Sequence, residues 1–484
     1  MEIIDLPPKA PTLIESTRAI GYSLEAAVAD LIDNSIAANA TKIWISFFPL
    51  NDAYVSILDN GFGMDSIELT TAMQYGSQSP LADRDEFDLG RFGLGLKTAS
   101  LSQCRILTVA TKKNGHIEAR KWDIDFIKTK GNWSLISLKD DIEIEKIPDI
   151  DRLRELTSGT LVVWENLDRM KEGVLDFIKS MGQKFDQVRE HLALVYHRYL
   201  SGEDDINKLS ITINNFPIEP VDPFLIKKSD QTMQEEIFKI KNSLVRVQPF
   251  ILPHISKMST EEIKVLGGKE GLRRQQGFYV YRNKRLIVWG TWFRMLRKGE
   301  LSKLARIRVD IPNSLDNLWT LDIKKSFATP PEEVRNALAN IIEKLSVKSK
   351  VKFTQRGKKE TDGSQTLFWI RMKSRNGDIY YEINRNHPFV LSLCSQLKSS
   401  GPLFALLTQI ERTLPLNQLY VDMNNDTHFE NEKVFEDSEI ELCIKNMLEG
   451  FNTRELKIQF INSLKSKHLF NEFNDVIERI LNRV

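Results

Sequence analysis

The chain has 484 residues, 41% hydrophobic and 27% charged, a balance that excludes collagenous, coiled-coil and wholly disordered classes. Its 67 Lys and Arg nearly cancel 66 Asp and Glu, so global charge gives no reason to expect nucleic acid as a partner; a local basic patch must argue for that separately. At about 100–200 residues per domain, the length predicts roughly two to four domains.

Cys104, Cys394 and Cys443 lie far apart and form no C-x-x-C pair, which argues against a disulfide framework and for a reducing cytoplasm. Nothing resembles an apolar run of about 18 residues, so no membrane span is expected. The N-terminal MEIIDLPPKAPTLIEST lacks the basic start and apolar stretch of a secretory leader.

Residues 1–20, punctuated by Pro7, Pro8 and Pro11, read as an extended arm. A helix follows over 23–40, with Ser23 as N-cap and Leu24, Ala27, Val28, Leu31 and Ile32 at helical spacing. Runs 42–48 and 53–59 alternate as half-buried strands, and 105–124 reads as a hairpin turning at Asn114-Gly115. A strand at 159–167 and a helix within 174–199 complete a first unit, 21–200. A second unit, 205–347, carries strands at 209–214, 277–283, 285–289, 306–312 and 318–325, then a helix from Pro330-Pro331. A third region, 350–484, offers strands at 366–373 and 379–384 and helices near 438–449, 453–466 and 470–483. Ser438 and Glu441 have capping-box spacing there.

Three segments of the first unit make chemical sense together. Asp30 and Asn34 are four residues apart, so they share one helical face, where a carboxylate and an amide oxygen suit a water and a hard cation such as Mg²⁺. Asp59-Asn60-Gly61-Phe62-Gly63-Met64 follows a strand; the carboxylate can accept from an adenine amino group, and the glycines permit close backbone approach. Gly90-Arg91-Phe92-Gly93-Leu94-Gly95-Leu96-Lys97 leads into a helix-compatible segment, presenting N–H groups and one cation to an anion. It is neither a Walker A loop nor a dinucleotide fingerprint. Ser158-Gly159-Thr160, opening the next strand, can offer a hydroxyl to the base.

In this order the motifs resemble the GHKL ATPases, the superfamily of gyrase B, the ninety-kilodalton heat-shock chaperones, histidine kinases, MutL and the microrchidia (MORC) proteins; GRFGLGLKTAS looks most like MORC and MutL. The resemblance implies an α+β chain whose first domain is an α/β sandwich. It implies that Asn34 ligates Mg²⁺, and that Asp59 binds adenine N6 with help from Thr160. Gly61, Gly63 and Met64 would line the adenine pocket, and Gly90 to Lys97 would wrap the triphosphate of ATP under a lid at 75–92. Hydrolysing members carry Glu where this chain has Asp30, a carboxylate one methylene shorter with a similar pKa. Asp30 is the candidate base, and slow or absent turnover is an open alternative.

The resemblance further implies a ribosomal-protein-like β-α transducer over 205–347, with a lysine reaching the γ-phosphate. Lys324 or Lys325 is the candidate; strand alternation points them to opposite faces, and Lys325 is preferred. YRNKRLI (281–287) is similar to a MORC transducer strand. Arg282, Lys284, Arg285, Arg294, Arg297, Lys298, Lys303, Arg306 and Arg308 face only Glu300 as an acid, and a further basic run lies at 344–359. Such clusters can neutralise phosphates, although solvated faces more often explain them. Tyr380 to Pro388 suggests no chemistry, and no nuclease or zinc motif is visible.

The reading as a whole is a cytoplasmic ATPase that pairs into a homodimer on ATP and clamps DNA or a partner protein, with a separate effector, in a prokaryotic defence or DNA-processing system. A heat-shock-type remodeller and a non-hydrolysing nucleotide-gated scaffold are the alternatives.

Overall fold

Strand-like runs of the first unit pair into one mixed sheet. The computed structural model describes residues 8–19, 21–76, 95–203, 206–229, 231–241, 243–253, 257–268, 271–299, 302–315, 319–321, 328–342, 368–373, 379–397, 399–415, 437–448, 454–464 and 473–482. The strands are β1 (Lys42–Phe48), β2 (Tyr54–Asp59), β3 (Ile106–Lys113), β4 (His116–Asp123), β5 (Ile136–Leu138), β6 (Gly159–Glu165), β7 (Ser210–Ile213) and β8 (Phe216–Pro217). Among the described residues their order is β5-β4-β3-β6-β2-β1-β7-β8. Only the β1–β7 pair of that sheet is parallel.

The helices are α1 (Ala10–Arg18), α2 (Leu24–Ala37), α3 (Ser66–Met73), α4 (Gly95–Leu101), α5 (Ile124–Lys130), α6 (Asp141–Glu145), α7 (Ile150–Glu155), α8 (Asp168–Lys171), α9 (Phe177–Val195) and α10 (His197–Ser201). One sheet face packs Ile43, Ile45, Val55, Ile57 and Val109 against Val28, Ile32, Phe185 and Leu192 of α2 and α9. The opposite face packs Leu58, Ala110, Leu161 and Val163 against Ile144, Ile150 and Leu153 of α6 and α7. Period-two alternation along β2 therefore puts Asp59 on the same face as Val55 and Ile57, toward α2. This is the α+β sandwich expected for the first unit, except that the strand expected at 209–214 in the second unit is β7, which joins this sheet by pairing in parallel with β1.

Residues 10–18 correct one expectation. They form a helix rather than an extended arm, because Pro11 occupies the first turn, where its missing N–H costs nothing, and Ile14 and Arg18 fall on one face. Arg18 is buried; its Nε donates to the Leu101 carbonyl at 2.7 Å and its Nη2 to both Asp168 oxygens at 2.6 and 2.7 Å.

A second sheet follows, with β9 (Gln231–Thr232), β10 (Glu236–Ile240), β11 (Ser243–Ile251), β12 (Gly277–Arg282), β13 (Arg285–Thr291) and β14 (Ala305–Ile311), and α11 (Thr260–Gly267) between β11 and β12. The order is β10-β11-β14-β12-β13, with β9 on β11 and β12 parallel to β14. Its core includes Val247, Phe278, Ile307 and Val309 with Val334, Leu338 and Ile341 from helical residues 332–342. The strand expected over 318–325 is described only at Thr320–Leu321; Lys324, Lys325 and the basic run 344–359 lie outside the described residues.

The chain divides into Met1–Phe353 and Thr354–Val484. In the latter, strands Trp369–Lys373 and Ile379–Ile383 form a hairpin, and helices Pro388–Gln396 and Gly401–Arg412 contribute Val390 and Leu407 to its core. Neither helix was anticipated; the Asn-His-Pro step is simply the start of one. Helices Asp437–Leu448, Arg454–Leu464 and Asn474–Leu481 share a core around Ile444, Ile461 and Ile477. Ser438 lies inside the first of these, not at its cap. Among the described residues, no helix is long and apolar enough to cross a membrane.

Candidate functional site

Asp59 ends β2 with its carboxylate buried. Oδ1 accepts from the backbone N–H of Gly61 at 2.9 Å and of Thr160 at 3.3 Å, and Oδ2 accepts from the Ser35 hydroxyl at 2.8 Å. Burial pushes its pKa up, opposed by the hydrogen bonds from Gly61, Ser35 and Thr160. An ionised carboxylate has about four acceptor positions, so three bonds leave room for one more donor, such as an exocyclic amine.

The loop after Asp59 is fitted tightly to its surroundings. Gly63 has φ +67°, and a Cβ there would sit 2.1 Å from the Lys112 carbonyl oxygen. At Gly61 a Cβ would sit 2.7 Å from the Ala38 carbonyl oxygen. Two hydroxyls fix the loop from the sheet side. Thr111 Oγ1 accepts from the Met64 N–H at 2.8 Å and donates to the Gly159 carbonyl at 3.1 Å, and Ser158 donates to the Gly61 carbonyl at 2.7 Å. Met64 packs against the main core. Thr111 and Ser158 thus supply the side-chain hydroxyls that hold this loop, and Thr160 contributes its backbone N–H to Asp59.

Helix α2 begins at the expected N-cap, where Ser23 accepts from the Ala26 N–H at 3.4 Å. Asp30 is buried and Asn34, one turn later, is exposed. A Cβ on Gly95, the first residue of α4, would lie 3.5 Å from Asp30 Oδ2, so the glycine-led helix starts against that carboxylate. Asp33, between them, points inward: the Tyr196 hydroxyl and Arg285 Nε each lie 2.7 Å from its Oδ1. Asn34 and Asp30 offer hard oxygen donors, and Asp59 an acceptor, on neighbouring elements; this donor set fits a magnesium–nucleotide pair. Among the described residues no group of three or more His, Cys, Asp or Glu side chains could hold a metal. Mg²⁺ carried by phosphates needs no such cluster, since it takes one or two protein oxygens and keeps water.

Of the phosphate-loop candidates, Gly90, Arg91, Phe92, Gly93 and Leu94 lie outside the described residues. Gly95 and Leu96 open α4, and Leu96 packs against the main core. Lys97 is buried, its Nζ donating to the Ala72 carbonyl of α3 at 2.9 Å, and desolvation lowers its pKa to about 8.

The basic run of the second sheet is largely spoken for. Arg306, 1% exposed, donates to the carbonyls of Pro223 and Leu266 and lies over the Tyr279 ring. Arg308 donates to Glu203 and Gln248, Arg285 pairs with Asp33, and Arg282 and Lys303 are buried. Arg294 and Arg297 are exposed. The charge imbalance read from sequence therefore overstates the surface patch, because long cationic stems here fill the interior and find partners there.

Sequence reasoning missed Ser35, Thr111 and the Asp33–Tyr196–Arg285 cluster. Asp33 lies between the two candidates Asp30 and Asn34, but its partners come from the α9–α10 junction and β13, which no spacing rule links to α2.

Residues 22–160 match the family model described as Histidine kinase-, DNA gyrase B-, and HSP90-like ATPase. The chain is similar to the ATPase morc-1 of Caenorhabditis elegans, 33% identical over 94 residues, covering 19% of this chain and 11% of that protein. It is also similar to the DNA mismatch repair protein MutL of Shewanella loihica, 30% identical over 121 residues, covering 25% of this chain and 19% of that protein. The chain thus spans about a tenth and about a fifth of the length of these relatives. Among solved structures, the N-terminal domain of a DNA repair protein aligns over 71% of this chain and 98% of that chain, with a TM-score of 0.43 and 15% identity.

Proposed function

We propose, from the match of residues 22–160 to the family of histidine kinase-, DNA gyrase B- and HSP90-like ATPases, that the chain is a Mg²⁺-dependent ATP-binding protein whose nucleotide site lies between α2, the 59–64 loop and α4. The observation that carries this reading is Asp59: a buried carboxylate held by three donors, with one acceptor position left, at the mouth of a glycine loop. Asp59 accepts the adenine amino group, with Gly61, Gly63, Met64 and Thr160 around the base. Asn34 holds the metal, which neutralises phosphate charge when bound. Gly90 to Lys97 wrap the phosphates, and Asp30 orients the attacking water. Lys325, or Lys324, contacts the γ-phosphate from the second unit, which serves as a transducer.

On this reading ATP drives homodimerisation, and the dimer acts as a MORC- or MutL-like clamp on DNA or a partner protein, with a separate effector. A cytoplasmic DNA-processing or defence system is the setting that fits. Asp30, one methylene short of the usual glutamate, favours one second reading, a nucleotide-gated scaffold without turnover.

Isothermal titration with ATP, with and without Mg²⁺, tests the binding reading; size and phosphate release measured alongside separate clamp from scaffold. Saturable binding with a Mg²⁺-dependent gain is expected. No heat of binding at millimolar ATP would remove the proposal, and ATP-driven dimerisation without phosphate release would leave the scaffold.

A further inference from the structure

The second sheet is tied to α2 by a buried ion pair at its own edge. Arg285 opens β13, and its Nε lies 2.7 Å from Asp33 Oδ1, with side chains 7% and 1% exposed. Tyr196, at the α9–α10 junction, completes the cluster: its hydroxyl lies 2.7 Å from both Asp33 Oδ1 and the Ala29 carbonyl of α2, and the Arg285 guanidinium lies over its ring at 5.8 Å. A second tie fixes the same hairpin tip, where the Tyr199 hydroxyl donates to the Asn283 carbonyl at 2.6 Å. Asn283 and Lys284 hold positive φ, so the tip is a tight turn with a fixed direction.

A buried ion pair is poor value for stability alone, because a packed apolar pair of the same volume usually does as well. What it supplies is geometry: a guanidinium fork accepts few orientations of its partner. Asp33 is adjacent to Asn34 and three residues from Asp30. Successive helical residues are about 100° apart, so fixing Asp33 inward fixes the rotation that turns Asn34 outward and sets Asp30 against Gly95.

We propose that Arg285 is a positioning residue for the nucleotide site: its ion pair with Asp33 sets the rotation of α2 that presents Asn34 and Asp30, and thereby couples metal–nucleotide occupancy to the β12–β13 hairpin. This rests on the reading of Asn34 as the metal ligand. The coupling is reciprocal, as any binding linkage must be. Occupancy steadies the hairpin, and loosening the hairpin weakens the metal-dependent part of nucleotide affinity.

The test uses the full chain and two readouts. In the first, hydrogen exchange of wild-type residues 277–291 is followed with and without saturating Mg·ATP. Slowed exchange at the hairpin is expected, and unchanged exchange in a protein that demonstrably binds Mg·ATP overturns the proposal. The second compares ATP affinity with Mg²⁺ and with chelator in wild type and in Arg285→Lys, which keeps the charge but not the fork. Arg285→Lys is expected to lose about fivefold or more of the Mg²⁺-dependent gain, a typical coupling size, while its affinity in chelator stays at the wild-type value. Retention of the full gain by a folded Arg285→Lys overturns the proposal. Should that variant fail to fold, the paired neutral variant Asp33→Asn with Arg285→Gln replaces it under the same criteria. Wild type that binds no ATP under any condition refutes the underlying site instead, and so separates the two failures.

Discussion

Ser35 and Asp59 join the two halves of the candidate site: the hydroxyl beside Asn34 on α2 donates to the carboxylate that ends β2, at 2.8 Å. The helix proposed to hold the metal and the strand proposed to hold the base are therefore tied by a direct buried hydrogen bond. Removing that donor in Ser35→Ala withdraws a hydrogen bond to a charged, buried acceptor, worth about 1.5–3 kcal/mol. Urea unfolding of Ser35→Ala is expected to show a loss of that order, and a stability equal to wild type would contradict it.

Asp59→Asn separates stability from recognition. Burial raises the Asp59 pKa, so its ionised form is a cost to the folded state at neutral pH, and the native state gains relative stability only where the group is protonated. A neutral amide of the same shape removes that cost. The variant is expected to melt at or above the wild-type temperature while its ATP affinity falls about tenfold to a hundredfold, the equivalent of one hydrogen bond to a charged group. Wild-type affinity by titration calorimetry would show that Asp59 does not read the base.

Gly63 and Gly115 make a matched pair of left-handed glycines. Both have positive φ, +67° and +82°, but a Cβ at Gly63 meets the Lys112 carbonyl at 2.1 Å and one at Gly115 meets nothing within 4 Å. Gly115→Ala is expected to cost about 1 kcal/mol from backbone strain alone. Gly63→Ala adds overpacking and is expected to cost on the order of 3 kcal/mol. Equal losses for the two in denaturant titrations would mean that the 59–64 loop gives way without resistance.

On the proposed site, Lys97 makes nucleotide binding proton-linked. Desolvation lowers its pKa to about 8 in the folded chain, against 10.5 for the free side chain. The depressed value means the folded state gains stability as pH rises from about 8 toward 10.5 and loses it again as pH falls through 8. A polyphosphate nearby favours the charged amine, so binding at pH 8.5 is expected to take up a fraction of a proton. Calorimetry in two buffers of different ionisation enthalpy measures this directly; no uptake, or the same uptake in Lys97→Met, would count against contact with phosphate.

His197 gives the join between α10 and the second sheet an acid limit. Its Nε2 lies 2.8 Å from the Tyr281 hydroxyl, and burial, with Arg198 and Arg308 nearby, lowers its pKa to about 3 from 6.5. Burial first, then Arg285, also lowers His191, to about 4. For a depressed group the stabilisation is complete above the unfolded value and is lost as pH falls toward the folded one, here between about 6.5 and 3. His197→Gln keeps an acceptor for Tyr281 and is expected to flatten the acid limb of a Tm-against-pH curve. An unchanged acid limb would assign the sensitivity to other groups.

Among the described residues of the basic run, Arg294 and Arg297 are exposed and are the ones to test for DNA. Charge reversal at both is expected to weaken duplex binding at low salt and leave ATP affinity alone, with a log–log salt slope reduced by about 0.9 per lost phosphate contact. Fluorescence anisotropy with and without a non-hydrolysable analogue measures it; no wild-type binding in either state would end the DNA reading.

Local signals in the sequence were legible where one element decides the outcome. Ser23 caps α2, Asn114-Gly115 turns β3 into β4, and alternation along β1 and β2 sets their faces. The β10–β11 turn was not legible, because Lys241 takes its positive φ without a Gly or Asn-Gly signal. Nor was the fate of the basic run: nothing in the spacing of Arg285, Arg306 and Arg308 reveals that Asp33, Pro223 and Glu203 await them. Partners distant in sequence are the part of a site that composition and period cannot carry.

The parallel pairing of β1 with β7 bears on how the chain emerges from the ribosome. Lys42 finds its strand partner in Ser210, and Phe47 of β1 stacks on Phe185 of α9 at 4.2 Å. Both partners lie beyond residue 160, where the family match ends. A nascent chain, or a fragment trimmed to the matched segment, would therefore carry a bare β1 edge and an uncovered α2 face, an invitation to intermolecular strand addition. Recombinant pieces of this protein should run past β8 to remain in solution.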